Sequence, residues 1–522
     1  MTTTHAVPTA QLLAEPPEPR PAPAAGMSAW RDAWSAMGPA AQRCLLVGLA
    51  GTTAMAVAAT GVGAVPVDDA LGGWPSPWSP GRPWPAVLLA YLGLTLLVVA
   101  WWRLPAAVRD LPGRLRITLT CAVAWAVPLV LAPPLYSRDL YSYLAQGVMY
   151  SGGLDPYRVG PAALGGPLAD NVSAMWQNAP APYGPVFLGI ASGVTSATGP
   201  RIVLAVIGMR VAMLVALAVT AACLVFLARR CHVDPAQALW LGVANPLVLA
   251  HVVSGAHNDV LIVMLVCGAL VLAMQGRPTA AAVLLGLGVL VKAPAGVALL
   301  VIVPAMARRL HGRFRWARAA LLVAAAAIGA SVAVTCLAGT WYGWVAGLTD
   351  TVRVRNGLSI STDVGMGLAR LLAAAGWGHE TAAVSAARVT GMVVALALTA
   401  RILTRHRGRP AYAVGLMMVT LVLLAPVVHP WYMLWGLAPL AASARTPRVR
   451  AGLAWLSVGL VFYPMPWGEG FTAQLSIAVV GVVAGLAVAW AASGITSGLR
   501  AVAPVVPSWM DEGRTPTYLR VG

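Results

Sequence analysis

Apolar runs approaching the length of a membrane-spanning helix recur along this chain, and they decide what it can fold into. A spanning helix needs roughly 20 predominantly apolar residues. Candidate spans lie near 43–65, 86–102, 116–134, 202–227, 236–254, 258–274, 280–292, 293–305, 318–338, 381–402, 411–428, 431–443, 451–465 and 473–494. Several of the short ones read as tight hairpin pairs, and a stretch near 364–376 reads as an interfacial helix. Apolar residues make up 59% of the 522-residue chain and charged residues 10%, against about 25% charged in an ordinary soluble domain. That excludes a string of soluble domains and excludes a disordered chain. The expected fold is an all-α polytopic integral membrane protein of about 12–14 transmembrane helices with extracytoplasmic loops. Three regions are expected: a disordered, Pro- and Ala-rich cytoplasmic tail over 1–41, a transmembrane domain over 42–497, and a cytoplasmic tail over 498–522.

The net charge of +18 is carried almost wholly by arginine, and Lys292 is the only lysine. A nucleic-acid-binding protein would gather such charge on a soluble face. Here it sits mostly in short segments between apolar runs, at 103–116, 228–235, 306–318, 401–409 and 445–450. This is the positive-inside pattern. All five segments fall on one side if both termini are cytoplasmic and the span count is even. The opposite face then holds the long segments 66–85, 135–201 and 339–380 and the short turns near 255–257, 292, 429–430 and 466–472, and ten of the seventeen acidic residues lie on it, Asp259 and Glu469 included. Chemistry is therefore expected outside the membrane, and no nucleic acid is expected as a partner. The six cysteines lie in or beside apolar runs without a CxxC pair and read as small buried apolar residues.

The polar residues gather in a few knots. The richest runs from Tyr136 through Ser137, Arg138, Asp139, Tyr141 and Tyr143 to Asp155, Tyr157 and Arg158. An Asp and an Arg at a membrane exit, followed by tyrosines, suit a site that holds a sugar, because tyrosine offers a face for the ring and a hydroxyl for its polar edge. The same residues also fit a surface loop with an interfacial aromatic belt. A second knot, from Trp176 to Pro185, carries three prolines in six residues around Tyr183. Its stiff backbone suits either a pocket floor or a re-entrant turn. A third, His257-Asn258-Asp259, heads an apolar run, where Asn or Asp is also a natural helix cap. Its spacing matches no strong metal-ligand motif. Lys292 sits between two short apolar stretches, and Arg353 and Arg355 sit in an outer segment. Each could meet a lipid phosphate or complete a structural ion pair. His429-Pro430-Trp431-Tyr432 forms the last knot, a sugar or phosphate contact or a belt anchor.

At these residues the chain resembles the actinobacterial polyprenol-phosphate-mannose-dependent α-(1→6)-mannosyltransferases. The resemblance is carried by SRDLYSYLAQG…GGLDPYRVGP (137–161), NAPAPYGPVFL (178–188), SGAHNDVL (254–261), LVKAPAG (290–296) and HPWYMLW (429–435), in order, over most of 40–495. It implies a GT-C-type bundle, an extracytoplasmic active site, a polyprenyl-phosphate mannose donor and an α-mannan glycolipid acceptor of the lipomannan and lipoarabinomannan core. It also implies a catalytic Asp in the loop after an early core helix, the place Asp139 occupies.

The resulting expectation is an inverting transfer. Asp139 takes the proton of a primary sugar hydroxyl, and Lys292, Arg353, Arg355 and His257 take up the charge of the leaving phosphate. Arg138 beside Asp139 would depress its pKa. Tyr141, Tyr143, Tyr157 and Tyr183 would line the sugar pockets, with Asp155, Asp259 and His429 as further substrate contacts. No nucleotide cofactor and no obligatory metal are expected. A transferase of another polyprenyl-phosphate sugar, glucose or arabinose, and a lipid or glycan transporter are the alternatives.

Overall fold

The computed structural model describes residues 34–35, 37–66, 73–78, 83–351, 358–378, 380–464, 466 and 475–497. Among them the regular elements are all helical. In chain order they are α1 (Pro39–Val62), α2 (Trp84–Val108), α3 (Arg114–Leu131), α4 (Asp139–Ser151), α5 (Pro185–Thr198), α6 (Ile202–Arg230) and α7 (Pro235–Gly242). Then come α8 (Pro246–Ser254), α9 (Asp259–Met274), α10 (Pro278–Val289) and α11 (Ala293–Ala307). The chain continues with α12 (Arg315–Ala338), α13 (Trp344–Thr351), α14 (Ile360–Ala374), α15 (Glu380–Arg405) and α16 (Pro410–Leu424). It closes with α17 (Leu434–Ser443), α18 (Pro447–Phe462) and α19 (Leu475–Ser497). Two short helical turns, Pro161–Leu164 and Gly166–Asp170, lie between α4 and α5.

Each of the fourteen apolar stretches read from the sequence coincides with a helix or a pair of helices. Far fewer are long enough to cross a bilayer alone. Among the described residues six helices (α1, α2, α3, α6, α12 and α15) meet the length and hydropathy of a span, and the α7–α8 pair, bent by 42°, makes a seventh. α5, α9, α10, α11 and α16 are apolar but only 10–17 residues long. The expected all-α polytopic membrane fold is found, and several of the stretches read as spans form short or paired helices. The stops have a local cause and a common place. α9 begins behind His257-Asn258, α10 and α11 break around Lys292, and α16 ends before Ala425-Pro426. Irregular backbone at such depth is tolerated only where it is buried in protein or lines a cavity, and these breaks converge on one cavity. The sequence also failed to show α4, α5 and α13 as helices, because they lie in segments read as outer loops.

Small residues let the helix backbones approach closely. A Cβ on Gly51 of α1 would stand 2.6 Å from the Gly93 carbonyl of α2. A Cβ on Gly436 of α17 would stand 2.6 Å from the Gly415 carbonyl of α16. α2 and α7 are joined by a reciprocal pair. The Trp101 indole N–H donates to the Trp240 carbonyl at 2.9 Å, the Trp240 indole donates back to the Trp101 carbonyl at 2.8 Å, and the rings stack.

The basic turns meet at one end of the bundle. Arg114 pairs with Asp234 at 3.5 Å, Arg445 Nε donates to the Cys231 carbonyl at 2.8 Å, and Arg409 donates to the Ser443 carbonyl at 3.2 Å. Following the chain from 235 through the bent pair leads to the other end, where His257, Lys292 and His429 sit.

That far end is clamped by a fully buried arginine. Arg210 of α6 donates to the Val130 carbonyl at 2.8 Å, the Ala132 carbonyl at 2.5 Å, and twice to the Ser254 carbonyl at 3.1 and 2.6 Å. These carbonyls belong to the C-terminal ends of α3 and α8, which lack intrahelical partners and carry the negative end of the helix dipole. Ser254 Oγ in turn accepts from the Leu135 N–H at 3.1 Å. The segment leading to Asp139 and the segment leading to His257 are therefore held to one guanidinium. Arg210→Met should leave these buried carbonyls unpaired and cost about 2–4 kcal/mol. Thermal unfolding of the purified protein in detergent would read this as a lowered Tm, and a variant melting with wild type would contradict the clamp.

Candidate active site

The site begins where α3 ends. Tyr136, buried, adopts a left-handed backbone with φ +70. On the facing segment Ala256 does the same with φ +50. Such conformations cost about 1–3 kcal/mol and persist where the surroundings over-determine them. Here they flank the two polar knots and turn Asp139 and His257 towards each other.

Asp139 is the first residue of α4, where the helix dipole favours a carboxylate. Its own N–H donates to Ser137 Oγ at 3.0 Å. Its Oδ1 accepts from the Trp176 indole N–H at 3.1 Å, and its Oδ2 lies 3.7 Å from His257 Nδ1. The side chain keeps 17% of its surface open, enough for a substrate hydroxyl to reach. Burial raises its pKa to about 6, offset in part by the charge of Lys292 and by the hydrogen bonds from Ser137 and Trp176. The depression expected from Arg138 is not found. Arg138 turns its guanidinium away, to the Asn171 carbonyl at 3.3 Å and the Val65 carbonyl at 3.4 Å, and it takes no part in the shift. Adjacency in sequence at a helix start points the two side chains to different sides.

His257 is wholly buried in the turn between α8 and α9. Its Nδ1 is 3.4 Å from the Tyr143 hydroxyl, and its ring stacks on Trp431 at 3.6 Å between centroids. His429 stacks on Trp431 at 4.7 Å. Burial pushes the His257 imidazole well below its ordinary range. It therefore stands beside Asp139 as a neutral hydrogen-bonding ring, not as the cation that the sequence suggested.

The second carboxylate is differently placed. Asp259, with no exposed surface, receives Lys292 Nζ on both oxygens at 2.9 and 3.0 Å, and the Trp435 indole N–H at 2.7 Å. The Lys292 ammonium also lies over the rings of Tyr432 at 4.5 Å, Trp435 at 5.6 Å and Tyr183 at 5.7 Å. Aromatic faces attract a cation in this geometry. Tyr183 reaches it because Gly184 is bare: a Cβ there would strike the Leu290 backbone, so the PAPYGP segment docks flush against the Lys292 turn.

Between these groups lies a cavity of about 350 Å³. Asp139, Tyr143, Tyr183, Lys292 and His429 of the expected residues line it, together with Trp176 and the prolines at 180 and 182. His257 and Asp259 stand directly behind that wall. Four expected contacts lie elsewhere. Besides Arg138, the Tyr141 hydroxyl is spent on the Ala64 carbonyl. Asp155 caps its own turn through the Tyr157 N–H at 2.9 Å and pairs with the exposed Arg158. Tyr157 donates to the Tyr183 carbonyl at 3.0 Å and so props the cavity wall from outside. Arg353 and Arg355 lie outside the described residues. Sequence reasoning assigned no role of their own to Trp176 and Trp435, although each stands inside a motif already noted, and it placed Tyr432 only in a knot read as a sugar or phosphate contact or a belt anchor. Ser142 and Gln146 belong to the richest polar segment of the sequence but were given no role there, although their helical register with Asp139 was the signal available.

Met392, Leu421 and Val427 form an apolar wall on one side of the cavity. The arrangement thus offers a partly open carboxylate, a cation about the same cavity, aromatic faces and an apolar flank. That set suits a sugar joined to a phosphate on a lipid.

Comparison with known proteins gives the family. Residues 45–308 match the family described as "Alpha-(1->6)-mannopyranosyltransferase, N-terminal domain", and residues 361–494 match the "MptB C-terminal domain". The chain is 33% identical over 498 residues to an alpha-(1->6)-mannopyranosyltransferase of Mycobacterium tuberculosis, covering 82% of this chain and 83% of that protein. It is 32% identical over 467 residues to alpha-(1->6)-mannopyranosyltransferase B of Corynebacterium glutamicum (81% and 76%). With alpha-(1->6)-mannopyranosyltransferase A of M. tuberculosis the identity is 35% over 393 residues (72% and 75%). The chain belongs to the alpha-(1->6)-mannopyranosyltransferase family and is a membrane-embedded mannosyltransferase.

Proposed function

We propose that this enzyme transfers mannose from polyprenyl-phosphate mannose to a growing α-(1→6)-mannan of lipomannan type, on the extracytoplasmic side, by one inverting displacement. The observation that carries the reading is the pairing of a partly open carboxylate, Asp139, with a lone lysine, Lys292, across one cavity with an apolar flank. Asp139 removes the proton from the acceptor's primary hydroxyl. The new bond forms between that oxygen and the anomeric carbon. The bond from the anomeric carbon to the phosphate oxygen breaks, and polyprenyl phosphate leaves with the electron pair. A β-linked donor then gives an α product. Lys292 meets the charge that develops on the phosphate, held in place by Asp259 and the aromatic rings around it. No nucleotide and no obligatory metal enter the step. The apolar wall at Met392 and Leu421 supports sideways entry of the lipid. The stitched basic turns at the opposite end support a cytoplasmic side there, with both termini beside it. The family match over 45–308 and 361–494 supports one transmembrane catalytic region across 42–497, flanked by tails at 1–41 and 498–522.

Asp139→Asn should lower kcat by about 10²–10⁴-fold, the usual worth of a general base, with the protein inserted at wild-type level. The assay is transfer from labelled polyprenyl-phosphate mannose to a short α-(1→6)-mannoside. Transfer only from another polyprenyl-phosphate sugar would keep the site and change the donor.

Asp139 works as a base only when ionised, and its pKa stands at about 6. The rate at subsaturating substrate should therefore fall on the acid side with a midpoint near that value, and hold above it. A midpoint near pH 4 would mean that burial does not govern this carboxylate.

Lys292→Gln should lower kcat by about 10²-fold or more, as loss of a charge-stabilising donor does. Because Lys292 is the only lysine, amine-directed methylation touches just this side chain and the N-terminus. Polyprenyl phosphate should protect wild type from inactivation by that reagent; unprotected, equal inactivation would detach Lys292 from the phosphate.

A further inference from the structure

α4 presents one polar face to the cavity. Asp139, Ser142, Tyr143 and Gln146 all line it, at positions i, i+3, i+4 and i+7 of a single helix. Ser142 and Gln146 are each 4% exposed, yet Ser142 Oγ and Gln146 Oε1 have no hydrogen-bond partner among the described residues. Serine and threonine elsewhere in these helices commonly bond the carbonyl one turn back. Ser151 does so at 3.1 Å, Thr195 at 3.1 Å, Thr220 at 2.8 Å and Ser443 at 2.6 Å. Ser142 does not, and its residue lines the cavity with this hydroxyl unspent. A buried polar group without a partner costs about 1–3 kcal/mol, so two of them on one wall mark places where something else supplies the bond.

We infer that Ser142 and Gln146 are the acceptor-binding residues of this enzyme, reading the hydroxyls of two successive mannose units along α4. The inference rests on Asp139 as the base proposed above. The acceptor oxygen must lie within one hydrogen bond of Asp139. Ser142 stands about 4.5 Å further along the helix axis at 1.5 Å per residue, within reach of the ring that carries that oxygen. Gln146 stands about 10.5 Å along, beyond that ring and level with the next sugar of the chain. Lys292 and its aromatic neighbours lie across the cavity with the phosphate, which leaves the α4 wall to the acceptor. A glutamine amide offers both donor and acceptor atoms and suits a pair of adjacent sugar hydroxyls.

The test is equilibrium binding of methyl α-mannoside and of an α-(1→6)-linked mannose disaccharide to the full-length protein in lipid discs, without donor. Gln146→Leu should weaken disaccharide binding about tenfold and leave the monosaccharide unchanged. Ser142→Ala should weaken both, by about three- to tenfold. On wild type, disaccharides lacking one hydroxyl on the second ring should bind about tenfold more weakly, and that penalty should vanish in Gln146→Leu. A Gln146→Leu protein that binds both sugars as wild type does, or loses both equally, would overturn the assignment. So would deoxygenated disaccharides that all bind wild type as the parent does, a result that needs no variant to fold. Discharge of labelled polyprenyl-phosphate mannose by the same preparations reads the donor separately, so a failed donor assignment leaves this test standing.

Discussion

The pair of Lys292 and Asp259 is the interaction on which the cavity end of this protein depends. The ammonium sits on both oxygens of a carboxylate that has no exposed surface, and the Trp435 indole fills one of the remaining acceptor positions. Burying two charges is costly unless the pair is close and fully hydrogen-bonded, and removing one partner then costs about 3–5 kcal/mol. The pair draws together the start of α9, the break between α10 and α11, and the start of α17. Those are the elements that stop short of a full span. A continuous pair of spanning helices would leave no room for a lysine at that depth, so the break and the ion pair explain each other.

The rest of the site follows from that anchor. The Tyr432 and Trp435 rings stack at 4.6 Å beneath the lysine, and Trp431 continues the same turn into the stack with His257 and His429. His257 then stands beside Asp139. On the other side the bare Gly184 lets the PAPYGP segment close against Leu290, bringing Tyr183 over the lysine and Trp176 round to Asp139. The Arg210 clamp fixes the two strained turns from behind. Charges are few in this chain, and the buried ones at this end are each held by several named partners.

Much of this was legible in the sequence. Apolar run length marked where the helices are, and the polar knots marked the residues that meet, because in a chain with 10% charged residues a cluster of them is rarely accidental. Two kinds of information were not legible. Run length places the helices, but it does not say which of the short ones cross alone and which meet in pairs at a turn, since both are apolar throughout. Sequence adjacency does not give side-chain direction at a helix start; hence Arg138, next to Asp139 in the chain, faces Asn171 instead of the carboxylate. The α4 helix was missed for a related reason: its inward face is polar and its surroundings are protein, so it shows no apolar run.

The contrast between the carboxylates also bears on which of them can act as the base. Asp155 pairs with Arg158 and caps a turn at the exposed surface, away from the cavity. Asp259 has both oxygens committed to Lys292 and no surface at all, so a hydroxyl reaching it would first have to displace the lysine. Asp139 has one oxygen bonded to Trp176, while the other is only within a long contact of a neutral imidazole. That oxygen has spare accepting capacity, an opening to the cavity and a pKa raised by burial to about 6. Burial makes the proton easier to take, while Lys292 across the cavity limits how far the shift goes. Two carboxylates in one small site thus differ by environment, one with both oxygens on the cation and the other with accepting capacity open to the cavity, as the proposed base requires.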